Sequence, residues 1–244
     1  LHCSTSSNGQ WRILWESLQD RYRVIAPDLL GYGDTSVWSG TDDGLIRAEG
    51  DLVRALTEDL DSYHLIGHSY GGASALRLAL EEPHRLKSLT LIEPIAIFLL
   101  DPEQDAEPYE MLREIAEVYR SEVGRGNTDA GITRYFDYWN GDGAFAAAHP
   151  RTRDYARETA LKCYHEFDAI FDTTNKPAPL SDLTMPVHIL RGSDTQPPAH
   201  RITTLLANAL PHAQITEIAG AGHMLPITHA TAVNDAVETF LTAF

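Results

Sequence analysis

Apolar positions along this 244-residue chain follow two rhythms that alternate over much of its length. Short apolar runs closed by turn residues fall at 22–28 (YRVIAPD), 63–67, 86–92 (LKSLTLI), 186–191 (PVHILR) and 213–218, and predict strands, the one at 63–67 buried. Between them, apolar residues recur at helical spacing over 11–20 (Trp11, Leu14, Trp15, Leu18), 44–60 (Leu45, Leu52, Leu56, Leu60), 72–82, 199–209 and 228–243. Strands that alternate with helices predict an α/β fold: a mostly parallel, doubly wound sheet with helices on both faces. The opening Leu1-His2-Cys3 reads as the end of a strand. Strands that should precede it are therefore expected to be missing from this chain, which would leave the sheet with an unprotected edge.

The alternation stops after residue 93. From 94 to about 180 the chain is helix-like and aromatic (YEMLREIAEVY, ITRYFDYW, TRDYARETALKCYHEFDAIF). The simplest organisation is a core of residues 1–93 and 181–244, with 94–180 inserted over the C-terminal edge of the sheet, where doubly wound folds bind ligands. Within the insertion, Tyr135, Phe136, Tyr138, Trp139 and Phe145 either line an apolar substrate pocket or pack the insertion's own core. The acidic residues of 101–117 read as a solvated face.

Charge narrows the partners. Nineteen basic against 35 acidic side chains give a net charge of −16, which repels nucleic-acid phosphates and anionic membrane surfaces. The longest apolar stretch, 89–100, is broken by Glu93 and Pro94 and is too short to span a bilayer. Two cysteines, Cys3 and Cys163, make no disulfide framework and are expected to be free thiols of a cytoplasmic protein. The expected partner is a small-molecule substrate. The insertion could also pair with a second copy in a homodimer.

The chemistry is concentrated in LIGHSYGGAS, residues 65–74. Gly67, Ser69 and Gly71 form G-x-S-x-G between a strand and a helix. A chain that turns this sharply crowds its own backbone, and small residues two before and two after the serine relieve the crowding. The serine then stands exposed at a helix N-terminus, where free N–H groups favour negative charge. A serine hydroxyl needs a base. AGAGHMLPITHA supplies His223 after the last strand and before the last helix, while His229 reads as a solvent-facing residue near a helix start. His64 and His68 lie on a strand and its turn, not on one helix face, so no zinc pair is expected. The loop GYGD lacks the lysine and the glycine spacing of a phosphate cradle. No metal or cofactor is expected.

Gly67-His68-Ser69-Tyr70-Gly71, a helical insertion, and Gly222-His223 before a final helix together resemble the α/β-hydrolase family. YRVIAPDLLGYGDTS resembles that family's loop before the nucleophile turn, and His2-Cys3-Ser4 resembles its oxyanion loop, with Cys3 in place of a glycine. The resemblance implies the family's fold with a helical cap, Ser69 as nucleophile, His223 as base, and the backbone N–H groups of Ser4 and Tyr70 as an oxyanion hole. It leaves the acid open between two positions. Asp194 lies in the loop after the strand that follows the cap, but one residue before the usual spacing, which falls on Thr195. Glu93 ends the strand after the nucleophile helix, the position used by the haloalkane dehalogenase branch. That branch and the epoxide hydrolases use an aspartate nucleophile, so neither of those reactions is expected with Ser69. The expected activity is acyl transfer from a small ester or related carbonyl compound to water. The alternatives are carbon–carbon hydrolysis of the meta-cleavage-product type and non-catalytic binding of a small ligand.

Overall fold

The computed structural model describes residues 1–39, 44–172, 179–210 and 212–244. Four strands, β1 (Tyr63–His68), β2 (Leu86–Ile92), β3 (Val187–Gly192) and β4 (Gln214–Ile218), form one parallel sheet in the order β1-β2-β3-β4. Neighbouring side chains on each strand serve opposite faces. Leu65, Leu91 and Ile189 pack into one apolar cluster with Leu76, Ile202 and Leu206. Ile66, Ile92 and Leu190 pack into a second with Leu14, Leu18, Val233 and Val237. The first face is covered by α2 (Leu45–Leu56), α3 (Tyr70–Glu81) and α9 (Pro197–Ala209). The second is covered by α1 (Arg12–Leu18) and α10 (Ala230–Leu241). β2 and β3 are buried on both faces and read as apolar runs in the sequence, whereas β4, at the sheet edge, exposes most of its residues, Ile215 included.

Three expectations change. Residues 22–28 form no strand and pair with none among the described residues. Val24, Ile25 and Ala26 instead line, with His64, Leu65 and Ile66 of β1, a cleft of about 310 Å³. The helix expected over 44–60 ends at Leu56, which is exposed, and its buried face is Leu45, Glu49, Gly50 and Val53. Asp105, read as part of a solvated face, is buried and accepts a hydrogen bond from Arg201 Nε at 2.5 Å.

Between β2 and β3 lie α4 (Ala106–Gly124), α5 (Thr128–Asn140), α6 (Ala144–Ala147), α7 (Pro150–Glu158) and α8 (Ala160–Phe171). They share an apolar cluster of their own, built on Ile115, Tyr119, Ile132, Phe145 and Cys163. Among the described residues no helix is long and apolar enough to cross a membrane.

Candidate active site

Ser69 sits between β1 and α3 with φ 56° and ψ −120°, a conformation that non-glycine residues avoid. The two flanking glycines make that turn possible. A Cβ on Gly67 would stand 2.4 Å from the Gly71 carbonyl oxygen, and one on Gly71 would stand 2.3 Å from the His2 carbonyl oxygen. Hydrogen bonds fasten the strained residue: Ser69 N–H donates to the Ile92 carbonyl at 3.0 Å, and Ile95 N–H donates to the Ser69 carbonyl at 3.1 Å. The close contact at Gly71 also brings the N-terminal loop against the turn, where His68 N–H donates to the Leu1 carbonyl at 3.1 Å.

Three side chains line up behind this turn. His223 Nδ1 lies 2.7 Å from Glu93 Oε2, and His223 Nε2 lies 2.9 Å from Ser69 Oγ. Glu93 accepts and cannot donate as a carboxylate, so Nδ1 carries the proton of the neutral ring. Nε2 is then free to accept the Ser69 hydroxyl proton. Glu93 is fully buried, and its other contacts fix both oxygens: Gly192 N–H donates to Oε1 at 2.7 Å, and Thr195 Oγ1 donates to Oε2 at 2.6 Å. Its backbone is held at φ 40°. Trp139 from α5 stacks on the His223 ring with centroids 3.9 Å apart. Behind the histidine, His68 Nε2 lies 2.9 Å from the His223 carbonyl oxygen, which makes Nε2 the donor. Burial and the neighbouring His223 hold His68 well below the usual histidine range, so it is a neutral support for the loop.

Asp194 is not brought to the histidine. Its side chain is exposed and accepts from Ser193 Oγ at 2.8 Å. One residue along, Thr195 occupies the position from which an acid would reach, and its hydroxyl touches Glu93 instead. The two sequence candidates therefore separate, with Glu93 inside the hydrogen-bonded chain and Asp194 outside it.

The N-terminal loop supplies the other side of the site. Cys3 N–H donates to Gln10 Oε1 and Thr5 N–H donates to the Tyr32 hydroxyl. Among the described residues the N–H groups of Ser4 and Tyr70 have no acceptor, so both remain available. Thr5 has φ 53°, and with Ser69 and Glu93 it completes the set of positive-φ non-glycine residues among those described. All three border the site. The His2 ring ties this loop down: Nδ1 donates to the Cys3 carbonyl at 2.7 Å, and Nε2 accepts from Leu29 N–H at 2.9 Å. Burial lowers its pKa to about 4 and keeps it neutral. Burial likewise pushes the Cys3 thiol up to about 12, so it is no nucleophile.

Ser69 faces two spaces. An outer cleft of about 490 Å³ is lined by His223, Ser4, Ser6, Asn140, Arg151 and Thr152. An inner pocket of only about 30 Å³ is lined by Ile95, Leu112, Tyr135, Trp139, Phe167 and Glu166 among others. Of the five aromatic candidates, Tyr135 and Trp139 line both spaces and Phe136 lines the cleft. Phe145 belongs to the core of the helical segment, and Tyr138 packs edge-on to Trp139. Among the described residues no three His, Cys, Asp or Glu side chains converge as a metal site.

The sequence profile of the alpha/beta hydrolase family matches residues 1–236. The chain belongs to that family. Over 88 residues it is 35% identical to the 2-hydroxy-6-oxo-2,4-heptadienoate hydrolase of Pseudomonas putida, a match covering 36% of this chain and 32% of that enzyme. Over 86 residues it is 36% identical to the 2-hydroxymuconate semialdehyde hydrolase of a Pseudomonas species, covering 34% and 29%. The chain thus spans about a third of the length of these curated relatives. Among solved structures it resembles a thermophilic esterase from Thermogutta terrifontis solved with malate bound (TM-score 0.72, 25% identity, covering 99% of this chain and 88% of that one). It also shares its fold with the enol-lactonase of Burkholderia xenovorans (TM-score 0.74, 21% identity, 99% and 88% covered). The family and its fold are what the profile and the relatives establish.

Proposed function

We propose that this hydrolase cleaves a small ester or related carbonyl compound through an acyl-enzyme, with Ser69 as nucleophile, His223 as base and Glu93 as acid. The hydrogen-bonded chain from Ser69 Oγ through His223 to Glu93 carries the reading. Ser69 Oγ attacks the substrate carbonyl as His223 Nε2 takes its proton. The oxyanion receives the free N–H groups of Ser4 and Tyr70. The imidazolium, paired with Glu93, returns the proton to the leaving alcohol as the carbonyl re-forms. Water then attacks the acyl-enzyme by the same route and releases the acid. The helices between β2 and β3 act as a cap: they supply Trp139 against the base and most of the inner pocket.

The leaving group departs on the His223 side, because that ring delivers its proton. His223 lines the outer cleft and not the inner pocket, which supports a reading with the alcohol in the cleft and the acyl chain directed toward the pocket. Carbon–carbon hydrolysis next to a ketone is the second reading, favoured by the two Pseudomonas relatives.

The test is hydrolysis of p-nitrophenyl esters from acetate to octanoate by wild type and Ser69→Ala. Turnover by wild type with a loss of at least about 10³-fold in Ser69→Ala is expected. Labelling of Ser69 by a fluorophosphonate without ester turnover would move carbon–carbon cleavage ahead. An unreactive Ser69 would leave only ligand binding.

A further inference from the structure

Behind the inner pocket lies a buried charge cluster that the proposed chemistry does not use. Lys162 of α8 donates to Glu49 Oε1 of α2 at 2.9 Å and to Glu166 Oε1, one turn along its own helix, at 3.0 Å. Glu49 and Glu166 are 0% and 2% exposed, and the Lys162 side chain is 6% exposed. The Lys162 ammonium also lies over the faces of Tyr70 and Tyr32, 4.6 and 5.2 Å from their centroids. The two carboxylates are not equivalent. Glu49 uses its second oxygen, Oε2, to accept from Leu30 N–H at 3.0 Å. Glu166 Oε2 is fully buried and has no hydrogen-bond partner among the described residues.

An unpaired carboxylate oxygen in an apolar surrounding is costly, typically by a few kcal/mol. The cluster's one ammonium is shared between two carboxylates, and the Tyr70 hydroxyl beside it is likewise buried without a hydrogen-bond partner among the described residues. Glu166 lines the same inner pocket as Ser69, amid Ile97, Leu112, Ile115 and Phe167. A substrate that enters with a donor at the right distance would satisfy the oxygen, while a plain alkyl chain would leave it bare. A neutral hydroxyl suits this position better than a second ammonium, which would add its own desolvation cost in an apolar pocket.

We propose that Glu166 is a specificity-determining residue that selects acyl chains carrying a hydroxyl group, whose proton is donated to Glu166 Oε2. This rests on the assignment of the acyl chain to the inner pocket. The experiment compares ethyl butanoate with ethyl 3-hydroxybutanoate, and ethyl hexanoate with ethyl 6-hydroxyhexanoate, by kcat/KM in a pH-stat. Wild type is expected to favour the hydroxy ester of at least one pair by about tenfold, the worth of a hydrogen bond to a charged acceptor. The O-methylated counterpart, which cannot donate, should lose that preference. In Glu166→Leu the ratio should fall below one, because the hydroxyl is buried without a partner; Glu166→Gln should reduce it.

A wild-type ratio at or below one in both pairs would overturn the proposal. So would a preference that survives O-methylation or the Glu166 substitutions. The O-methyl comparison needs only wild type, so it decides even where the variants do not fold. If no ester turns over, the ester reading fails on its own. Calorimetric Kd values for the matching amides, which need no turnover, then judge Glu166: tighter binding of the hydroxy amide supports it, and equal binding rejects it.

Discussion

Two buried glutamates stand near Ser69 and are treated in opposite ways. Glu93 sits at the sheet edge with both oxygens engaged by Gly192 N–H, Thr195 and His223. Glu166 sits on α8 with one oxygen on Lys162 and the other bare. The first is a finished site. Its three donors stabilise the charged form and fix one geometry, which is what orienting a histidine requires. The second is unfinished, and a group from outside can complete it. Burial alone therefore says little about a carboxylate's role; the number of its partners says more.

The comparison breaks hardest at Glu93. Glu93→Gln should lower kcat by about 10³–10⁴-fold, because the amide can no longer hold the imidazolium or enforce the tautomer. Asp194→Asn should leave the rate near wild type, since that carboxylate faces solvent. Adding Thr195→Asp to Glu93→Gln should restore at least tenfold of the loss, because residue 195 already reaches the same point as the Glu93 carboxylate. Steady-state kinetics on any turned-over ester checks all three.

Next in size is the removal of the cation that makes Glu166 tolerable. Lys162→Met leaves two buried carboxylates without their ammonium, a change that typically costs about 3–5 kcal/mol. The melting temperature should fall by roughly 10 °C at pH 8. Burial already raises the Glu49 pKa above its ordinary value, and the Lys162 ammonium, which opposes that rise, is lost in the variant. The penalty at Glu49 is then full above its folded-state pKa and shrinks as the carboxylate protonates, so the gap to wild type should narrow between pH 8 and pH 5. An equal gap at both pH values would refute this account of the cluster.

The smallest expected effect sharpens the contrast from the other side. Thr195→Val removes one of the donors to Glu93 and leaves Gly192 N–H and His223 in place. A loss of about tenfold or less in kcat is expected, with KM unchanged, since a saturated carboxylate tolerates the loss of one partner of several.

Most of the sheet and the turn at Ser69 were legible in the sequence because both leave local signatures. LKSLTLI reads as a buried strand, and the glycines two residues either side of Ser69 have a steric cause that any reader can reconstruct. The strand expected at 22–28 was not legible, because a strand exists only with a partner and its partner is not encoded in its own residues. The acid stayed ambiguous because a single-residue offset decides which side chain faces the histidine. Glu49 was hidden because a charged residue on the buried face of α2 breaks the apolar stripe that marks that face. Its partner Lys162 is 113 positions away in the chain, so no local pattern joins them.

One hydroxyl has a mechanical meaning. Tyr155 of α7 accepts from Gly33 N–H at 3.0 Å and donates to the Ser6 carbonyl at 2.8 Å. A single oxygen atom is thus a rivet through three layers: the helical segment, the glycine loop at 31–36 and the strip of backbone that begins at Cys3. Lifting α7 to admit a molecule must either shear that rivet or drag Ser6 with it, two residues from the Ser4 N–H.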